Sequence, residues 1–145
     1  LRSMSYLVSK IEANYEASQL LRDGLEEMPG IGEINGLPFR GKADYIKTNM
    51  IVDVKTTSDL SSWVYSARYK WHYDVQAYIY MQLFNVQKFT FLVIDKSTGE
   101  IGIYECSEES LKKGKKKVEI ACNNYRKYFY DKTENVNEYV RKGYI

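Results

Sequence analysis

Apolar and polar positions change period along this chain, and the changes mark its elements. Leu7, Ile11, Leu21 and Leu25 recur at mostly helical spacing, which predicts an amphipathic helix within residues 4–25, capped by Ser3 or Ser5 and ended by Met28-Pro29-Gly30. Ile31 to Phe39, with Gly32, Gly36 and Pro38, reads as a strand, a turn and the entry into a second strand. Two short apolar segments then flank Lys47-Thr48-Asn49 inside GKADYIKTNMIVDVKTT, the pattern of a hairpin. Ser58 to Ser62 is rich in capping residues and opens a long helical region that ends near Phe84. In its second half Tyr73, Gln76 and Tyr80 share one stripe, while Val75, Ile79 and Leu83 form the side that packs on a sheet. Lys88–Ile94 and Ile101–Tyr104 are β segments joined by the turn Asp95 to Gly99, and helices are expected over Ser110–Phe129 and Asn135–Val140. This order predicts an α/β fold, a central mixed β-sheet flanked by helices.

Chemistry concentrates on the second hairpin. Successive strand residues alternate faces, so Ile51, Asp53 and Lys55 share one side and Val52 and Val54 point to the other. A turn centred between Thr48 and Asn49 sets Asp44 directly across from Asp53. Like charges in such a pair destabilise the ladder by up to about 1 kcal/mol, more where water is excluded, so a cation between them is expected. A hard divalent ion such as Mg²⁺ suits carboxylate and carbonyl oxygens, and an adjacent lysine can then orient or activate a water. The site is expected where the second and third strands diverge.

Asp44 followed by Asp53-x-Lys55, with Ala43 in place of the proline, resembles the PD-(D/E)XK nucleases. Gln76-Ala-Tyr-Ile-Tyr80 is similar to the Q-x-x-x-Y element of their RecB-like branch, and GKADYI, IVDVKTT and YDVQAYIY together look most like RecE-type phage exonucleases such as exonuclease VIII. The match spans about residues 33–95. It implies a restriction-endonuclease-like core and Mg²⁺-dependent hydrolysis of phosphodiesters at duplex DNA ends, with Mn²⁺ able to substitute. On this resemblance Asp44 and Asp53 bind the metal, the Val54 carbonyl completes its protein ligands, Lys55 holds or activates the attacking water, and Gln76 and Tyr80 serve the site from the helix. Glu33, one strand before Asp44, fits the position of a glutamate that assists the metal; an exposed strand glutamate is the other reading. The family's histidine, on a helix before the first acidic residue, has no counterpart: His72 is the only histidine and follows the D-x-K strand. The chain starts at Leu1 rather than Met, which leaves room for an upstream segment carrying that helix.

Composition narrows the setting. At 145 residues the chain reads as one domain, and no apolar run approaches the roughly 20 residues of a membrane-spanning helix. No signal peptide is evident, and Cys106 and Cys122 form no C-x-x-C, so they read as reduced thiols of a cytoplasmic protein. Two cysteines cannot supply the four thiolates of an iron–sulphur cluster. A net charge of +2 excludes a polycationic nucleic-acid coat, so DNA contact must come from local patches. One is Lys112, Lys113, Lys115, Lys116 and Lys117, split by Gly114, which reads either as a DNA contact or as the solvated start of a helix. The other is the aromatic and basic stretch containing Arg68, Lys70, His72 and Tyr73. The resemblance adds a single-strand annealing protein as partner and a ring-shaped homo-oligomer. A non-catalytic DNA-binding or assembly module and an endonuclease of the same superfamily remain alternatives.

Overall fold

A computed structural model describes residues 3–145. Two short helices, α1 (Met4–Ala13) and α2 (Tyr15–Leu20), precede a meander of β1 (Leu25–Ile34), β2 (Leu37–Lys47) and β3 (Met50–Thr57). Helices α3 (Trp63–Tyr69) and α4 (Tyr73–Phe84) cross over to β4 (Lys88–Asp95), which turns back through β5 (Ile101–Glu105) into α5 (Glu108–Tyr125). The sheet order is β1-β2-β3-β4-β5. Only β3 and β4 are parallel, as the helical crossover between them requires. This is the α/β fold expected, a mixed five-stranded sheet flanked by helices.

Each face of the sheet has its own core. Ala17 of α2 packs with Tyr45, Val52 and Leu92 on one face. On the other, Trp63, Ala67 and Ala77 of α3 and α4 cover Ile51, Phe89, Phe91 and Val93. Helix α5 then packs on α4 and the β1–β2 turn end, where Val118 and Cys122 meet Ile34 and Leu37.

The predicted N-terminal helix is interrupted. Asn14 takes an extended conformation and its side chain accepts the Ala17 N–H at 2.9 Å, which starts α2 afresh, while Ser3 caps α1. Met28-Pro29-Gly30 does not stop a helix; it lies inside β1. A proline is tolerated there because β1 is an edge strand. Gly30 is required by packing: a Cβ on it would lie 2.6 Å from the Phe84 ring. The long helical region before Phe84 is likewise split, because His72 adopts a left-handed φ of 51° between α3 and α4. Helix α5 starts ahead of Ser110, at Glu108 with Ser107 as its cap, and its end widens into a π turn over Arg126–Tyr130. The last expected helix is a single 3₁₀ turn, Val136–Tyr139.

Both hairpin turns explain the register. Asn35 and Gly36 have φ of 52° and 75°, the two left-handed residues of a type I′ turn, and pairing proceeds from Ile34↔Leu37. The second turn gives Lys47↔Met50, Ile46↔Ile51 and Tyr45↔Val52, the register expected. Alternation slips once, however. Ala43 belongs with the α3–α4 face, Tyr45 with the α2 face and Ile46 with the first again. The slip falls at Asp44, opposite Glu27, whose φ of 53° is left-handed. There the β2–β3 ladder ends, so Asp44 does not pair directly across from Asp53 as the turn alone predicts; its carboxylate reaches the Val54 N–H instead.

Candidate active site

Where that ladder ends, β3 presents Asp53 and Lys55 toward α4. Asp53 is only 2% exposed, an uncommon place for a carboxylate. Its Oδ1 accepts a hydrogen bond from Gln76 Nε2 at 3.0 Å, and its Oδ2 lies 2.9 Å from Lys55 Nζ. That second contact is an ion pair without a well-directed hydrogen bond, so one buried oxygen keeps lone-pair capacity. Asp44 turns along the sheet and its Oδ2 accepts the Val54 N–H at 2.9 Å. The slip in β2 thus puts a carboxylate against the backbone of the strand that carries Asp53.

Burial pushes the Asp53 carboxyl above the usual carboxylate range; Lys55 and Gln76 oppose this, while the nearby Asp44 charge adds to it. A carboxylate so placed gains from a further cation. Among the described residues no three His, Cys, Asp or Glu side chains form a metal-binding group. Two carboxylates on adjoining strands and a strand carbonyl nevertheless fit a hard divalent ion that keeps several waters, as Mg²⁺ commonly does. Lys55 Nζ stands 4.6 Å from the centre of the Tyr73 ring, a cation–π contact that fixes the ammonium over the site.

The structure therefore brings together Asp44, Asp53, Val54, Lys55, Gln76 and Tyr73. Tyr80 lies beside them on α4, packed so closely on β2 that a Cβ at Gly41 would come within 2.7 Å of its ring. Its hydroxyl has no hydrogen-bond partner among the described residues. Glu33 is not brought in. It is exposed, pairs with Pro38 beside the Asn35–Gly36 turn, and stands six residues along β2 from Asp44, roughly 20 Å at a strand's rise per residue. The acidic residue opposite Asp44 is Glu27, which is exposed and ion-paired with Lys42. Reading the Asn35-Gly36 turn as the origin of the register would have identified it.

The basic residues divide. Arg68, His72 and Lys113 line one cavity with Lys117, whereas Lys70 and Lys112 are exposed elsewhere on their elements. Lys112 to Lys117 lie in the interior of α5, and Gly114 does not split them. It lets the helices touch, since a Cβ there would fall 2.2 Å from the Asp74 carbonyl oxygen. Sequence reasoning missed Arg40, which with Trp71 of the aromatic and basic stretch joins Tyr73, Gln76, Tyr80 and Lys117 around an open groove of about 790 Å³. It also missed Asp74, for which helical periodicity carried no signal.

A mixed sheet with an aspartate on one strand and D-x-K on the next is the arrangement of a PD-(D/E)XK nuclease-like domain. Residues 2–139 match the family described as a PDDEXK-like domain of unknown function (DUF3799), and the chain belongs to it. No curated protein matches the sequence. Among solved structures, a candidate exonuclease from Eubacterium rectale is similar over 85% of this chain, with a TM-score of 0.75 and 21% identity. At that identity the likeness shows the fold alone. This chain covers 51% of that one, about half its length. A second structure, of SSO0001, matches over 68% of this chain and 46% of its own at 21% identity, with a TM-score of 0.45.

Proposed function

We propose that the chain is a Mg²⁺-dependent deoxyribonuclease of RecE type that hydrolyses phosphodiester bonds from duplex DNA ends. One observation carries this reading: a buried Asp53 held by Gln76 and Lys55, with the Asp44 carboxylate on the adjoining strand. Asp44, Asp53 and the Val54 carbonyl would hold the ion, which when bound neutralises phosphate charge and lowers the pKa of a water. Lys55 holds the attacking water and offsets charge developing on the phosphate oxygens. Gln76 keeps one Asp53 oxygen oriented. Tyr73 keeps the Lys55 ammonium from swinging away. The groove beside Gln76 takes the DNA strand, with Arg40 and Lys117 on its phosphates and Trp71 as a stacking surface. Arg68, His72 and the exposed lysines Lys70, Lys112 and Lys113 extend the positive surface.

Incubating linear and closed-circular duplexes with Mg²⁺ or with EDTA tests the proposal. Progressive loss of the linear form, sparing of the circle and arrest by EDTA are expected. Cutting of the circle makes the chain an endonuclease, and no cutting of either makes it a non-catalytic module. Mn²⁺ should replace Mg²⁺. A ring of like subunits around the duplex and a single-strand annealing partner complete the proposed setting. The free thiols Cys106 and Cys122 accord with a cytoplasmic location, and among the described residues no helix is long and apolar enough to cross a membrane.

A further inference from the structure

A second buried carboxylate lies outside the site just described. Asp74 is in the first turn of α4 with its side chain 7% exposed, and its Oδ2 accepts a hydrogen bond from the Lys117 ammonium at 2.7 Å. The same ammonium lies 2.9 Å from His72 Nδ1. An ammonium can only donate, so Nδ1 is the acceptor and the neutral ring carries its proton on Nε2. A carboxylate, an ammonium and an imidazole thus form one chain between α4 and α5. Gly114 makes it possible: a Cβ there would fall 2.2 Å from the Asp74 carbonyl oxygen, so the helices meet at that point. Lys117, three residues on, lies on the same side of α5.

The chain ends on a residue whose backbone needs support. His72 has a φ of 51°, a left-handed conformation that L-residues adopt sparingly and that persists where the surroundings hold it. Its side chain does not cap α4; the partner that it has is Lys117. The flanking rings show what this backbone does. Residues two apart in a helix do not face each other, yet the rings of Trp71 and Tyr73 lie 5.4 Å apart at 41°, because the left-handed residue turns the chain between them. Tyr73 is also held by Trp63 and Phe91, and it carries the Lys55 ammonium 4.6 Å from its centre. Trp71 is 45% exposed, lines the open groove with Arg40 and Lys117, and among the described residues touches no ring but Tyr73. Its stance therefore depends on the junction at His72.

We propose that Lys117 is a positioning residue of the groove: anchored by Asp74, it fixes His72 in its Nε2–H form and its left-handed conformation, and the junction so fixed seats Trp71 on Tyr73. One wall of the groove is then rigid before any ligand arrives, and the third N–H of Lys117 is left for a phosphate. The inference rests on the reading of this groove as the path of a DNA strand, and it assigns Lys117 a second task there. The geometry itself requires neither DNA nor metal.

His72 is the chain's only histidine, so nitrogen NMR of the imidazole in metal-free buffer reports on it alone. Wild type should show a protonated Nε2, a bare Nδ1 and nuclear Overhauser contacts between the Trp71 and Tyr73 rings. Lys117→Met should let the two tautomers mix and lose those ring contacts, and Lys117→Arg, which can still donate to both partners, should restore them. His72→Gly accepts the left-handed backbone but gives Lys117 nothing to hold, so it too should lose the contacts. Retention of the contacts in His72→Gly, or unchanged imidazole and ring signals in Lys117→Met, overturns the proposal. Anisotropy titration of a labelled duplex in EDTA adds a readout of function. Asp74→Asn removes a negative charge and loosens Lys117, so a phosphate contact without positioning predicts tighter binding. Positioning predicts binding about threefold weaker, because Trp71 must then be ordered at the moment of binding. Tighter binding in Asp74→Asn also overturns the proposal. Absence of duplex binding by the wild type would sink the reading of the groove as a DNA path, while the NMR outcomes still decide the role of Lys117.

Discussion

Two buried aspartates, each beside a lysine, sit in opposite settings. Asp53 projects from β3, its side chain 3% exposed, with Lys55 two residues away on the same strand and 22% exposed. Asp74 projects from α4 at 7%, and its partner Lys117 reaches across from α5 at 36%. Both retain an oxygen without a hydrogen bond. What differs is the neighbour on that side. Asp53 has a second carboxylate, Asp44, whose charge helps push its own pKa up, and that combination asks for a cation. Asp74 has no second carboxylate paired with it among the described residues, and the cavity that it borders is lined by the rings of Trp63, Tyr73 and Tyr104. The same ion pair therefore poses for different chemistry according to the element facing it.

The largest expected difference between the two regions is catalytic. Asp53→Asn should lower cleavage of linear duplex by about a thousandfold or more, as removal of a metal-ion ligand does when the ion both neutralises phosphate and activates water. Asp74→Asn should keep cleavage within about tenfold. Steady-state rates under Mg²⁺ compare them, and equal losses would dissolve the distinction.

Stability should separate the lysines next. Removing one partner of a fully buried pair costs about 3–5 kcal/mol, a figure that solvent access reduces. Lys55→Ala should then cost about 2 kcal/mol and Lys117→Ala, at the more exposed pair, about 1 kcal/mol. Urea unfolding in EDTA measures both; the reverse order would show that the aromatic cavity, not the strand site, holds the more demanding charge.

The smallest effect is in pH dependence. A carboxyl whose folded pKa is raised binds its proton longer in the native state than in the unfolded one, so its contribution to stability is greatest below the unfolded pKa and is lost as pH rises through the folded value. Metal-free protein should lose stability in that window, and Asp53→Asn should lack the loss. Asp95 has the opposite sign: the Ser97 N–H, with those of Thr98 and Leu60, holds its carboxyl below the ordinary range despite burial, so its contribution is present at higher pH and lost on acidification. The difference between wild type and Asp53→Asn at each pH cancels the Asp95 contribution. A flat difference would mean that Asp53 ionises in the fold as it does in the unfolded chain.

Much of the strand site was legible in the sequence because it is local. The Thr48–Asn49 turn fixes which residues of β2 and β3 face each other, and period-two alternation puts Ile51, Asp53 and Lys55 on one side. The helix stripe containing Tyr73 and Gln76 follows from a period of 3.6 in the same way. Packing decided the rest. Met28-Pro29-Gly30 has the composition of a helix stop, but an edge strand accepts the proline and the Phe84 ring needs the space over Gly30. Glu33 seemed near the aspartate by order of strands, yet a hairpin of this length carries it to the far end. The slip at Asp44, which turns its carboxylate onto the Val54 N–H, violates the alternation from which the site was first inferred.

What the sequence by itself determined, then, is the order of elements, the register of the hairpin turns, the shared face of Ile51, Asp53 and Lys55, and the stripe of Tyr73 and Gln76, since each rests on turns and periodicities that act over a few residues. Tertiary structure alone decided that Lys117 pairs with Asp74 across 43 positions, that Gly114 lets α4 and α5 meet, and that Trp63 and Asp74 border one cavity. Those contacts depend on how helices seat against one another, and the spacing of residues along a chain does not encode which side chains will be left facing a gap.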